Sequence, residues 1–185
     1  MSAPALPAPH TTPTAPPAPP APQTAGAGAG AGVDEAAVHA LVRDWYAALD
    51  RHEDVSGLLR MLAPQGLVMQ FPEGTIEGIE GFSLWYETVT HLFFDEIHDI
   101  TAVHIEPPDP APGAGGVPGA GGELVRVGVE VRWQTRRWMA PAATSQWLGF
   151  DAAQSWTLTP APDGSLRILT YRVDSLTPLP GSAPL

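Results

Sequence analysis

The chain has no cysteine anywhere in its 185 residues. A disulfide framework, a thiolate nucleophile and a zinc–thiolate centre are thereby excluded, and folding does not call for an oxidising compartment. A cytoplasmic setting is expected. Basic side chains are scarce as well: 9 Lys and Arg stand against 20 Asp and Glu, a formal net charge of −11. Nucleic-acid backbones and anionic membrane surfaces are bound through clusters of Lys and Arg, so neither is an expected partner. The one basic knot, Arg132 with Arg136 and Arg137, reads as a solvated strand end. No run approaches the roughly 20 apolar residues of a membrane-spanning helix, and no basic segment followed by an unbroken apolar one marks a secretory signal.

Residues 1–32 carry no Asp, Glu, Lys or Arg and consist mostly of Pro, Ala, Thr and Gly. A segment of this composition cannot bury enough apolar surface to offset its ordering entropy, and a disordered polyproline-like tail is expected. A partner that reads polyproline is the functional alternative to a neutral extension. A second low-complexity stretch, Pro107 to Gly122, is expected to form a long exposed hairpin loop.

The remainder has the composition of one ordinary globular core, with 44% hydrophobic residues in the whole chain. Asp34 is placed to cap a first helix whose apolar residues Val38, Leu41, Val42, Trp45 and Leu49 recur at three- and four-residue intervals. Asp54 begins a shorter helix through Val55, Leu58, Leu59 and Leu62, which Pro64 ends. Gly66 to Phe71 reads as a short strand followed by a turn at Pro72–Gly74, and Ile79 to Phe94 as a third helix, apolar on several sides. Four strands follow. Val125, Val127, Val129 and Val131 share one face opposite Arg126, Glu130 and Arg132, while Leu148, Phe150, Ala152, Gln154 and Trp156 lie opposite Trp147, Asp151 and Ser155. Pro162, Asp163 and Gly164 turn the chain into a last strand bearing Tyr171. Helices followed by long strands imply an α+β fold, with three N-terminal helices packed on a curved, mostly antiparallel sheet. The expected folded unit is 33–178, followed by a flexible C-terminus at 179–185.

Several of these segments resemble a known family. Trp45-Tyr46 in the first helix, Leu62-Ala63, the strand and turn from Met69 to Gly74, the strand opening at His98 and the hairpin around Gly164 are similar to the cone-shaped α+β fold of nuclear transport factor two, ketosteroid isomerase, scytalone dehydratase and the SnoaL-like polyketide cyclases. The resemblance implies an apolar small molecule held between helices and sheet, no cofactor, and pairing of two copies through the outer sheet face. It also implies chemistry by position. Tyr46 matches the helix-one tyrosine that donates to an oxyanion in ketosteroid isomerases. Phe71 takes the place of their aspartate base, and Gln154 that of their protonated aspartic acid, so their mechanism is not expected here.

In SnoaL-like cyclases a His and an Asp inside the cone do the acid–base work, which makes His98 and Asp151 the expected pair. Asp151 stands among small and apolar neighbours, and an ion pair with Arg132 or Arg172 is its structural alternative. Phe71, Trp85, Trp133, Tyr171 and Gln154 are the candidate ligand-contacting residues, although aromatic residues at such spacings more often pack in a core. His98 and His104 lack metal-ligand spacing, no serine has a nucleophile-elbow context, and the glycines of 113–122 do not join a strand to a helix; no metal site is expected. The expected function is cofactor-free cyclisation, isomerisation or dehydration of an apolar, polyketide-like metabolite, with a non-catalytic binding or assembly domain as the alternative. Deletion of residues 1–32 should leave the melting temperature within the few degrees that about 1 kcal/mol represents. Cooperative loss of folding in a thermal melt of the truncated chain would contradict that expectation.

Overall fold

The structure, a computed structural model, describes residues 34–107 and 124–185. The tail at 1–32 and nearly all of the expected loop at 107–122 lie outside the described residues. Helix α1, Glu35–Asp50, starts where the Asp34 carboxylate accepts from the Ala36 amide at 3.0 Å, which satisfies one of the unpaired donors of the first turn. Its buried residues include the five placed on one face by spacing, together with Tyr46 and Ala48. Helix α2 is a single capped turn, Val55–Leu59, with Asp54 accepting from Ser56. Strands β1, Val68–Phe71, and β2, Gly74–Glu77, form a tight hairpin. The turn was legible and its second strand was not, because Gly-Thr-Ile-Glu offers only one apolar residue to an alternating pattern.

Helix α3 spans Gly78–Leu92 and ends two residues before the expected Phe94, since Phe93 and Phe94 already pair with Arg137 and Arg136 of the sheet. Its C-terminal half is not buried all round: Val89 packs inward, while Leu92 is exposed. Four long strands complete the chain: β3 (Phe93–Ile105), β4 (Val125–Arg137), β5 (Gln146–Pro160) and β6 (Leu166–Pro178). The sheet order is β2-β1-β6-β5-β4-β3, antiparallel throughout except where β1 runs parallel to β6. Gly164, at φ +81°, takes the left-handed position of the β5–β6 turn.

Side-chain alternation divides the sheet as the sequence predicts. Val125, Val127, Val129 and Val131 are buried beneath α1 and α3 with Leu148, Phe150, Ala152, Gln154, Trp156 and Leu158 of β5. Each large apolar side chain so buried stabilises the fold by roughly 1.5–3 kcal/mol before entropy is counted. At the centre Trp45, Phe82, Trp156 and Tyr171 meet edge-on and tilted, with Trp45 5.7 Å from Phe82 and 6.1 Å from Tyr171. Irregular registers at four places in β3 to β6 supply curvature, the most consequential lying between Phe94 and Ile97.

The segment after Pro178, expected to be flexible, is instead bonded to β5. The Leu179 amide reaches the Gly149 carbonyl at 2.9 Å, the Ala183 amide reaches the Trp147 carbonyl at 3.0 Å, and the Ser182 hydroxyl accepts from the Gly149 amide. Ala183 also packs against the cluster of Phe93, Leu148 and Phe150. Its Pro-rich composition suggested a loose end, but the unpaired edge of β5 beyond Phe150 supplies the partners that its backbone needs.

Candidate active site

Two irregular backbone positions bring the reactive side chains together. Asp50 closes α1, and His52, two residues on, holds the left-handed conformation at φ +46°, which is uncommon for a residue with a side chain. Across from it, the extra residue in β3 between Phe94 and Ile97 is accompanied by Asp95 at φ +53°. Glu96 and His98 then share one face of β3 and meet Asp50 and His52 in crossed order. His98 Nδ1 lies 2.6 Å from Asp50 Oδ1, and the His98 amide reaches Asp50 Oδ2 at 3.3 Å. His52 Nε2 lies 2.9 Å from Glu96 Oε2.

An ionised carboxylate only accepts hydrogen bonds, so Asp50 assigns the imidazole proton of neutral His98 to Nδ1 and leaves a lone pair on Nε2. Nε2 has no hydrogen bond to the described residues. The ring stacks on Tyr46, 4.9 Å between centroids, and lies parallel to Trp133 at 6.2 Å. Trp133 is fixed in turn by its indole N–H, which donates to Glu96 Oε1 at 2.9 Å. The His98 side chain is 10% exposed. It is thus a sheltered imidazole with one nitrogen anchored and the other open to a reacting group.

Deeper in the cone, the Tyr46 hydroxyl donates to Gln154 Oε1 at 2.5 Å, and the Trp156 indole N–H donates to the same oxygen at 3.0 Å. Burial pushes the Tyr46 hydroxyl well above the ordinary tyrosine range, and Tyr171 beside it raises it further. Tyr171 is raised chiefly by burial, against the opposing effect of hydrogen-bond partners at Tyr46, Gln154 and Trp45. Trp45 Nε1 comes near Tyr171 without the geometry of a hydrogen bond and has no other partner. Tyr86, whose hydroxyl donates to the Glu53 carbonyl at 2.8 Å, is pushed up to about 12 by burial first, then by the charges of Glu96, Glu53 and Asp54.

Of the residues singled out from the sequence, Tyr46, His98, Gln154, Tyr171 and Trp133 lie together on the inner side of the sheet. Phe71 and Trp85 stack at 4.2 Å and join this group through Tyr171, 5.4 Å from Phe71. Asp151 is not among them. It lies on the outer sheet face, where Arg132 Nε donates to its Oδ1 at 2.9 Å and both side chains are about half exposed. Strand alternation explains the misplacement: Phe150 and Ala152 occupy the inner face, so the apolar neighbours of Asp151 in sequence lie on the opposite side of the sheet. The carboxylate that partners His98 is Asp50. Asp50 stands four residues after Tyr46 on a helix, and that spacing alone places the two on one face; Glu96 and His98, two apart on a strand, carry the equivalent signal. His52 carries none, because its direction depends on a left-handed φ.

An open cleft of about 530 Å³ lies outside this cluster, between α2 and α3, lined by His52, Glu53, Asp54, Ser83, Leu84 and Tyr86 among others. Its imidazole, that of His52, has Nε2 engaged by Glu96 Oε2 at 2.9 Å, whereas His98 is held through Nδ1. Among the described residues, no group of three His, Asp or Glu side chains is placed to hold a metal ion. No described helix is long and apolar enough to cross a membrane.

No family model and no curated protein matches the chain by sequence. Solved structures do match by fold. A type 2 hexachlorocyclohexane dehydrochlorinase (LinA) superposes with a TM-score of 0.58 at 19% identity, over 80% of this chain and 92% of that one. A nuclear transport factor 2-like superfamily protein from Salmonella enterica gives 0.57 at 12% identity, over 80% and 89%. A protein of Novosphingobium aromaticivorans provisionally assigned as a scytalone dehydratase gives 0.57 at 13% identity, over 81% and 91%. The chain therefore has the nuclear transport factor 2-like cone fold, and proteins sharing that fold include dehydratase and dehydrochlorinase enzymes.

All three tyrosines of the chain are shifted upward. Folding favours their neutral forms, so the stability they contribute is complete below the unfolded value of about 10 and is lost as pH rises through about 12 for Tyr86. Ultraviolet difference titration should show almost no tyrosinate in the native protein at about pH 10.5, where denatured chains are mostly ionised. Ionisation of even one tyrosine with an ordinary midpoint, in protein that is still folded, would contradict this electrostatic assignment.

Proposed function

On this cone fold, we propose that the Asp50–His98 pair makes the chain an acid–base enzyme acting on an apolar small molecule by elimination, isomerisation or cyclisation. The observation that carries the reading is the 2.6 Å contact between His98 Nδ1 and Asp50 Oδ1. Asp50 orients the imidazole and stabilises the imidazolium formed when Nε2 takes a proton from substrate carbon. The electrons of that C–H bond then expel a leaving group, or shift into an adjacent carbonyl. Neutral Tyr46, whose ring stacks on His98, is the hydroxyl donor in contact with the base. Tyr46 donates to a developing oxyanion only when the substrate displaces Gln154 from its hydroxyl. The dehydratase and dehydrochlorinase folds noted above are compatible with this class of reaction and do not select among its members.

The stacked walls Phe71–Trp85 and Trp133–Phe150 suit an apolar ligand. The outer sheet face, with Arg132–Asp151 and Arg172–Asp174 ion pairs, is the proposed contact for a second copy of the chain in a two-fold dimer. A non-catalytic binding domain is the second reading. It is favoured by the commitment of the Tyr46 proton to Gln154 and by the filled inner end of the cone, where Trp45, Tyr46 and Trp156 are each 1% exposed.

Deuterium exchange separates the two without knowledge of the full reaction. A panel of apolar ketones incubated with the protein in heavy water should include members whose acidic C–H exchanges, as read by proton NMR. Asp50→Asn should slow that exchange by roughly 10²- to 10⁴-fold, and His98→Gln should abolish it, with both variants still folded. Exchange by the wild type no faster than by His98→Gln across the panel would favour the binding domain.

A further inference from the structure

The anchored imidazole is sheltered, so a ligand needs a route to it, and the surroundings of His98 differ in how easily they part. Tyr46, Val131 and Phe150 are buried at 1%, 2% and 5% exposure, and opening there means pulling apart packed core. On the side of the cleft a chain of side-chain contacts leads inward instead. One wall of the cleft is His52, whose side chain is 27% exposed and whose only side-chain hydrogen bond among the described residues runs to Glu96. Glu96 holds Trp133, and Trp133 lies against His98. His52 sits beyond the end of α1 in its own left-handed position, so its ring can turn into the cleft without unwinding the helix.

The rim adds selectivity. Asp54, Glu80 and Glu87 line the cleft beside Val55, Leu84 and Tyr86, together with Glu53, which Arg51 pairs from outside the lining at 2.8 Å; no lysine or arginine among the described residues lines it. A concave surface with charge of one sign and low-dielectric walls repels ions of that sign.

We infer that the α2–α3 cleft is the vestibule of the His98 site, that the His52–Glu96 bridge is its gate, and that the carboxylate rim admits neutral or cationic molecules while rejecting carboxylates and phosphates. This rests on His98 being the reacting group, and it is tested by access alone, so its failure and the failure of the catalytic reading are distinguishable.

Iodoacetamide and iodoacetate are probes of similar size, neutral and anionic. Each is attacked by an imidazole nitrogen, which forms a C–N bond as the C–I bond breaks and iodide leaves, and the absence of cysteine removes the usual competitor. Rates at individual histidines are read by peptide mass spectrometry and normalised to the urea-unfolded chain, with exposed His104, 69% accessible, as the internal reference. In the native protein the preference for iodoacetamide over iodoacetate at His98 should exceed that at His104 by about tenfold, and Glu80→Gln combined with Glu87→Gln should shrink it. His52→Ala should raise the iodoacetamide rate at His98 several-fold, and Ser83→Trp should lower it by a similar factor. Leu84→Trp serves as the blocking variant if Ser83→Trp does not fold. The inference is overturned if a folded blocking variant leaves the rate at His98 unchanged, if His52→Ala does not raise it, or if His98 and His104 show the same charge preference.

Discussion

Helix α1 and strand β3 are joined at one corner by two crossed carboxylate–imidazole contacts, Asp50 with His98 and His52 with Glu96. The working geometry of the molecule depends on that corner. Charged partners at partly buried positions are tolerated only when their hydrogen-bonding capacity is met, and here both oxygens of each carboxylate are engaged. Asp50 bonds the ring and the amide of His98, while Glu96 bonds His52 and Trp133. Satisfying all of these at once requires two residues with side chains in left-handed conformations, His52 and Asp95. Such positions persist where the surrounding structure over-determines them, and they cluster at functional sites.

The corner also divides the interior into two environments. On one side lies a closed aromatic core in which Gln154 gathers the Tyr46 hydroxyl and the Trp156 indole. Burial keeps the tyrosines neutral there, and the region is polar at a few atoms and apolar elsewhere. On the other side lies the open, acidic cleft beside α2 and α3. His98 stands between them, stacked on Tyr46 and parallel to Trp133. A base in this position is screened from bulk water, and a chain of contacts through Trp133, Glu96 and His52 leads from it to the cleft.

Most of the scaffold was legible in the sequence, because it follows from periodicity. The spacing of Val38, Leu41, Val42, Trp45 and Leu49 defines α1, and the alternation of Val125 to Val131 and of Leu148 to Trp156 assigns the inner sheet face without error. The resemblance to the cone fold was likewise carried by local segments that the structure reproduces. What escaped detection depends on tertiary placement or on departures from regular geometry. Strand β2 is too short and polar to alternate visibly, and the C-terminal segment is ordered only because β5 offers an unpaired edge. In the site, the type and position of Tyr46, His98 and Gln154 mark them as candidates that the fold brings to the inner side of the sheet, while the apolar sequence neighbours of Asp151 face the other way. Asp50 carries a helical-spacing signal, four residues after Tyr46. His52 and Glu96 had weaker ones, since a left-handed φ and a β-bulge redirect side chains in ways that residue identity does not announce.

The central claim is that Asp50 fixes the tautomer of His98 and so frees Nε2 to act as a base. Nitrogen NMR of protein labelled in histidine, at a pH where the imidazole is neutral, reads this directly. The account predicts that His98 carries its proton on Nδ1, with an unprotonated Nε2, and that Asp50→Asn reduces or reverses that preference while the other histidines are unchanged. A wild-type His98 protonated on Nε2, or a tautomer indifferent to Asp50→Asn, would contradict it.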